Sequence, residues 1–318
     1  MFSLKSINAF HLPRWLKPRT RHRSYAVLSR HLNGLAGLLL QDDGDKARVL
    51  EFAEIGNISL SAIALNQVAA EAHIKNADLI TLLDQDAYQT IMVEAPSVPD
   101  EEIKNAIRWK VKDLLSFHID DAVLDHLQVP GGSGRPPSLF VVAAQIPAVR
   151  SLVRPFHEAD LRLDTIDIRE TAQHNLAMRV APADYAVALL HFDGENGLLT
   201  FSFGESLVLA RRFEGRGATG DSLLEKVAME VQRSVDYFER QYSWFPLAKL
   251  YLAPVTDSSA LLRLLSEYLP IGAEILDMNR IFDFSNQENF QQIELQNSAF
   301  HILGASLRRG GNLPGAAR

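Results

Sequence analysis

Two stretches of the chain, about half its length apart, place apolar and polar residues in the same way. Residues 25–41 (YAVLSRHLNGLAGLLLQ) and 185–203 (YAVALLHFDGENGLLTFSF) each read as an apolar strand, a Gly-bearing turn and a second apolar strand. Each is followed by a third strand, at 48–55 and 207–213, and then a helix, at 60–75 and 221–242. In the first helix Ile63, Ala64, Val68, Ala69 and Ala72 form one stripe; in the second, Leu224, Val227, Val231, Val235 and Phe238 do. The repeat predicts two related halves facing a cleft, and the residues of the two turns decide what that cleft can do.

Between the halves the pattern predicts strands at 78–83 and 88–93, then a helix over 99–117. Pro99 presets its first turn, and Asp100, Glu101 and Glu102 suit the positive end of its dipole. Ile103, Ala106, Ile107, Val111, Leu114 and Leu115 share one face, and Lys110 lies angularly inside it. Lys110 either snorkels to water or marks a polar contact with a partner. Strands at 122–129 and 139–144 flank the loop 131–137, and a helix follows at 147–161. Residues 98–164 thus read as an αββα unit inserted before the second half. A strand at 165–168 and a helix at 170–179 complete the first half. The second half continues with a strand at 248–253, a helix at 257–268 capped by Asp257 or Ser258, a strand at 273–276 and a helix at 295–307. The expected domains are a tail at 1–24, a first half at 25–184 holding the insert, a second half at 185–307, and a basic, Gly-rich tail at 308–318.

Composition adds limits. The chain has 318 residues, enough for two domains with their own cores, and 47% hydrophobic content is ordinary for a globular protein. The net charge of −7 argues against broad nucleic-acid binding. That charge is uneven: residues 1–24 carry Lys5, Arg14, Lys17, Arg19, Arg21 and Arg23 with no acid, which leaves −13 on the remainder. The tail reads as a solvated arm or as a tether. As a tether, Phe2, Phe10 and Trp15 enter a membrane interface or a partner's groove while Lys17, Arg19, Arg21 and Arg23 meet anionic groups. Cysteine is absent, which excludes disulfides and thiolate metal sites. No stretch is long and apolar enough to span a bilayer, and Pro13, Arg14, Lys17 and Pro18 break up any signal-peptide core. The expected location is the cytoplasm, at the inner face of the membrane.

A family resemblance rests on two segments. Residues 98–129 (VPDEEIKNAIRWKVKDLLSFHIDDAVLDHLQV) start with an acidic helix, pass Ile107-Arg108-Trp109 and an apolar-Ser-Phe end, and enter a strand through acids. This segment resembles the inserted subdomain of the PilM group of actin-like proteins, which includes the cytoplasmic part of GspL. Residues 231–239 (VQRSVDYFE) are similar to that group's Arg-Ser-hydrophobic-Asp-aromatic-aromatic-Glu helix. The likeness extends over residues 25–307 and is strongest to the branch that serves mannose-sensitive haemagglutinin (MSHA) pili. It implies an α/β, actin-like (ribonuclease H-like, duplicated) fold with a PilM-type insert. It also implies a scaffold that docks the N-terminal cytoplasmic segment of a bitopic, PilN-like inner-membrane partner and links it to a secretion ATPase. Trp109, Lys110, Leu114 and Phe117 are the candidate docking residues, with buried core the competing reading for Leu114 and Phe117.

Actin-like proteins that bind ATP use two Asp-x-Gly phosphate hairpins, with the Asp organising Mg²⁺, and a Gly pair that receives the adenosine. The first turn here, Ser29-Arg30-His31-Leu32-Asn33-Gly34, contains no acid. The second, His191-Phe192-Asp193-Gly194-Glu195-Asn196-Gly197, has the residue types without the spacing, and Asp-Gly alone is a strong hairpin signal. Where the Gly pair belongs the chain reads Ala253-Pro254-Val255-Thr256, and proline has no amide hydrogen to offer. The resemblance therefore implies a degenerate ATPase with no cofactor and no metal. The alternative is an ATP–Mg site rebuilt on Asp193, Gly194, Gly215 and Gly217.

Other chemistry is sparse. Gly131-Gly132-Ser133-Gly134 lacks the Lys-Ser/Thr of a phosphate loop. His118, Asp120, Asp121, Asp125 and His126 match no metal spacing and read as a solvated edge. Ile7-Asn8 with Leu12-Pro13-Arg14-Trp15 echoes the type of segment that PilM-like proteins bind, so docking between copies is a further expectation.

Overall fold

The computed structural model describes residues 2–3, 23–42, 44–132, 134–215, 217, 219–256 and 258–308. Strand β1 (Phe2–Ser3) pairs on the edge of a seven-stranded sheet. The body of that sheet starts with an antiparallel meander, β2 (Arg23–His31), β3 (Gly34–Asp42) and β4 (Ala47–Ile55). Helix α1 (Ala62–Glu71), capped by the Ser61 hydroxyl, returns the chain to β5 (Leu79–Leu82), which runs parallel to β2.

An excursion follows: β6 (Tyr88–Glu94), α2 (Ile103–Val111), β7 (Ala122–Val129) and β8 (Ser138–Gln145). Its three strands form a separate sheet in the order β6-β8-β7. Helix α3 (Ile146–Glu158) then leads to β9 (Leu163–Asp167), parallel to β5, and to α4 (Arg169–Met178). The elements α2, β7, β8 and α3 follow in the expected αββα order; β6 joins their sheet, and α3 packs against α1.

The second half repeats the frame. Strands β10 (Ala186–Phe192), β11 (Asn196–Phe203) and β12 (Ser206–Glu214) form the meander. Helix α5 (Asp221–Gln241) leads to β13 (Leu247–Leu252), and α6 (Ser258–Tyr268) to β14 (Gly272–Ile275). The strand orders correspond, β9-β5-β2-β3-β4 in one sheet and β14-β13-β10-β11-β12 in the other. In both, the last two strands run parallel to the first strand of the meander. Strand β15 (Phe282–Asp283) crosses back to β4, and α7 (Ile293–Ser298) and α8 (Phe300–Ser306) close the fold. The single helix expected over 295–307 is broken in two at Ala299 (φ −83°, ψ 4°).

The halves are joined by an exchange of helices. Helix α4 leaves the first half and packs on β10, β11 and β12, while α8 leaves the second and packs on β2, β3 and β5. The two helices cross where Gly304 meets Ala172. A Cβ on Gly304 would lie 2.2 Å from the Ala172 carbonyl oxygen, so the approach requires glycine. One core cluster runs through this crossing, from Val27, Leu38 and Ile80 to Val187, Leu189 and Tyr251.

Candidate functional site

The residues expected to face a cleft sit on the two hairpin turns and after the end of β13. Aligned on Tyr25 and Tyr185, the halves put His31 and His191 at equivalent positions, the first at the end of β2 and the second one residue before the end of β10. Both imidazoles are buried, with different partners. His31 Nδ1 lies 3.1 Å from Glu54 Oε2, and its ring meets Phe52 edge-on. Burial pushes its pKa below the usual value while Glu54 pulls it back up. His191 donates from Nε2 to the Asn297 carbonyl at 3.2 Å, stacks on Phe300 and meets His301 edge-on. Full burial pushes the His191 pKa down to about 4, with only partial compensation from that hydrogen bond.

The candidate nucleotide residues make local contacts. Asp193 Oδ1 accepts the backbone N–H of Glu195 at 3.0 Å and of Asn196 at 2.7 Å, closing its own turn with Gly194 at φ 99°. Gly215 donates its N–H to the Glu195 carbonyl, so it sits against the same turn, and Gly217 follows in the loop before α5. After β13, the Pro254 carbonyl accepts the Asn297 side-chain amide at 2.6 Å, and Thr256 donates to Glu294 at 2.9 Å. Asn297 also reaches the Phe192 carbonyl at 3.5 Å. Helix α7 therefore ties the second turn to the strand end that would receive adenosine. Among the described residues no three His, Asp or Glu side chains converge on a common point. Asp193, Gly194 and Gly215 are brought together, and one carboxylate oxygen of Asp193, Oδ1, is engaged by two amides of its own turn.

Helix α4 carries a buried polar network that no motif announces. Glu170, at the start of α4, is wholly buried. It accepts the Tyr88 hydroxyl at 2.6 Å on Oε2 and the Arg212 Nε at 2.7 Å on Oε1. Arg212 also donates to the Gln85 carbonyl at 3.1 Å, and its guanidinium lies 4.5 Å from the Tyr88 ring centre. Burial and the adjacent Glu170 carboxylate hold the Tyr88 pKa well above the usual value. One turn on, Gln173 donates to the Leu198 carbonyl and Thr200 hydroxyl at 3.1 and 3.0 Å, and also to the Leu189 carbonyl. His174 bonds Ser202 at 2.8 Å and the Glu205 carbonyl at 3.3 Å, and burial lowers its pKa to about 4. Asp167 is equally buried: it accepts the Ile168 N–H and the Thr171 hydroxyl, with Arg308 3.3 Å away. The network joins α4, the root of the excursion and β12. Its one sequence-level signal is the run Glu170, Gln173 and His174 inside a helix that is buried nearly all round.

The excursion presents a different surface. The helix expected to reach residue 117 ends at Val111, because the chain turns so that Leu115 and Ile119 pack under the three-stranded sheet. The Ser116 N–H is then taken by the Gln89 side chain at 2.9 Å. Trp109 (73% exposed) and Leu114 (57% exposed) are left in solvent, so core is not the role of Leu114. Lys112 lies 4.8 Å over the Trp109 ring. Lys110 donates to the Glu94 carbonyl at 2.9 Å, which gives it a local role at the end of β6, and Phe117 is half-buried. The loop after β7 is a clasp rather than a phosphate loop. Gly132 packs so closely on the Trp244 indole that a Cβ would lie 2.2 Å from it; Arg135 covers the ring at 5.2 Å and donates to the Gln241 carbonyl. His118 pairs with Asp120, and Asp125 accepts its neighbour's N–H, an ordinary surface edge. Phe10, Trp15, Lys17, Arg19 and Arg21 lie outside the described residues, and the backbone of Arg23 opens β2.

No protein-family model and no curated protein matches the chain. Among solved structures it is similar to a chain of a PilM–PilN type IV pilus biogenesis complex, with a TM-score of 0.69 and 18% identity over 89% of this chain and 97% of that one. It is also similar to the cytoplasmic domain of EpsL, an inner-membrane component of the Vibrio cholerae type II secretion system. That match has a TM-score of 0.49 and 12% identity over 88% of this chain and 95% of that one. A Bacteroides thetaiotaomicron protein with an actin-like ATPase fold gives a TM-score of 0.47 and 11% identity over 85% and 96%. No helix among the described residues is long and apolar enough to cross a membrane. The duplicated sheets, the exchanged helices and the three-stranded excursion together make this an actin-like ATPase fold of the form seen in the PilM–PilN complex.

Proposed function

We propose that the protein is a cytoplasmic scaffold of type IV pilus biogenesis, of the MSHA kind. In this reading it docks the N-terminal cytoplasmic segment of a bitopic, PilN-like inner-membrane protein and no longer works as an ATPase. The observation that carries this reading is the match over 97% of a chain whose structure was solved as a PilM–PilN complex. The cleft supports the second part, since Asp193 and Pro254 are tied to the protein's own amides. The docking surface is assigned to Trp109 and Leu114, with Lys110 and Phe117 beside them: exposed aromatic and aliphatic anchors on one subdomain are the composition of a binding hot spot. With the domain limits proposed above, this surface belongs to the insert at 98–164, inside the first half at 25–184 and ahead of the second half at 185–307. The basic segment at 1–24 adds attraction to anionic lipid at the inner face of the membrane.

The test is a titration of labelled peptide carrying the N-terminal cytoplasmic sequence of a PilN-like protein from the same genome. Saturable binding is expected, weakened about tenfold or more in Trp109→Ala at unchanged melting temperature. Absence of binding, or equal affinity in that variant, contradicts the assignment.

A further inference from the structure

Strand β6 has an open edge whose reading is independent of the scaffold role. Strand edges expose unpaired N–H and C=O groups, and natural sheets guard them by shortness, charge, proline or cover. The other edges here are so guarded. Strands β1 and β15 have two residues each, and β14 has four. Strand β12 carries Arg211 and Arg212 and lies against β7. Strand β6 is seven residues long, reads Tyr-Gln-Thr-Ile-Met-Val-Glu, and has neither proline nor charge before Glu94. It pairs with β8 on one side, and among the described residues no strand pairs with it on the other. Its residues from Gln89 to Val93 are all half-buried, whereas the interior residues of β8 are buried.

The direction of the unpaired groups is fixed. Ala95 donates its N–H to the Pro137 carbonyl, so Val93, Ile91 and Gln89 also bond toward β8. Tyr88, Thr90, Met92 and Glu94 therefore point their backbone groups outward, and among the described residues only the Glu94 carbonyl is taken, by Lys110. Antiparallel pairing about a two-fold axis at Ile91 sets Thr90 against Met92 and Gln89 against Val93. Glu94 then falls opposite Tyr88 rather than another Glu94, so no like charges meet. Both edges are already ordered, so the pairing spares the entropy that a free peptide would lose on binding.

We infer that β6 is a self-association edge: a second copy of this chain adds its own β6 antiparallel, making one six-stranded sheet across the two inserts. A seven-residue strand pair is smaller than the roughly 1,200 Å² of a stable interface. Dimerisation should therefore depend on concentration in the micromolar range.

The chain has no cysteine, so Ile91→Cys introduces its one thiol. Two-fold pairing places these thiols in a non-hydrogen-bonded pair with Cα atoms about 4.5 Å apart, inside disulfide range. Sedimentation of the full chain should show a dimer that grows with concentration. Mild oxidation should cross-link Ile91→Cys at least about tenfold faster than Ile63→Cys, whose site on α1 is 82% exposed. Thr90→Pro removes an outward N–H without touching a bond to β8, and should leave a folded monomer; a folded Thr90→Lys variant supplies the same readout if the proline prevents folding. A chain that stays monomeric at high micromolar concentration overturns the inference, including one whose β6 edge instead takes another protein's segment. So does equal cross-linking at positions 91 and 63.

Discussion

The two halves share a strand order and a buried histidine at each turn, yet they differ in what is attached to them. In the first half the crossover from β5 to β9 carries the whole excursion, with Trp109 and Leu114 in solvent. In the second the corresponding crossover, from β13 to β14, carries only α6. The histidines diverge too: His31 faces a half-exposed carboxylate, while His191 is sealed beneath α7 and α8. The shared frame repeats in strand order and in the parallel pairing of its last two strands. Exposed apolar side chains occur in both parts, Leu32 and Ile63 in the frame and Trp109 and Leu114 in the unshared piece, but among the described residues only the unshared piece sets an exposed aromatic and an exposed aliphatic residue within five positions of each other.

The largest break of this contrast is at the seam. Arg212→Met leaves Glu170 buried beside Tyr88 without its cation, and unfolding free energy should fall by about 3–5 kcal/mol. Chemical denaturation measures it, and adding Glu170→Gln should restore part of the loss. Acid should act next. His174 and His191 are neutral in the folded protein with pKa values of about 4, whereas an unfolded histidine protonates near about 6.5. The unfolded state therefore binds more protons between those values. Stability should decline as pH falls from about 6.5 to about 4 and level off below. Urea midpoints across that range check it, and His191→Asn should flatten the curve more than His31→Asn.

Smaller effects sharpen the comparison. Gly304→Ala drives a methyl into the Ala172 carbonyl at the helix crossing and should cost about 1–3 kcal/mol by thermal melting. Trp109→Ala on the exposed face of α2 should change stability by less than about 0.5 kcal/mol while weakening partner binding. Liposome flotation of the full chain, set against a chain starting at Tyr25, tests the basic tail; equal flotation removes its role.

Much of the frame was legible in the sequence because alternation in 25–41 and 185–203 is strong and repeated. The absence of an acid from the first turn was legible as well. The Glu170–Tyr88–Arg212 network was not, because its members lie 82 and 42 residues apart, and Arg212 reaches Glu170 from the other half. Helical periodicity ran α2 on to residue 117, but the apolar Leu114 and Leu115 part company there: one enters the sheet and the other faces water. The membership of β6 in the excursion's sheet was equally hidden, since its apolar run suits either sheet.

Calorimetry with Mg-ATP decides whether the duplicated frame has lost its nucleotide chemistry. No binding tighter than about 100 µM is expected. Tighter binding that is abolished by Asp193→Ala would contradict it.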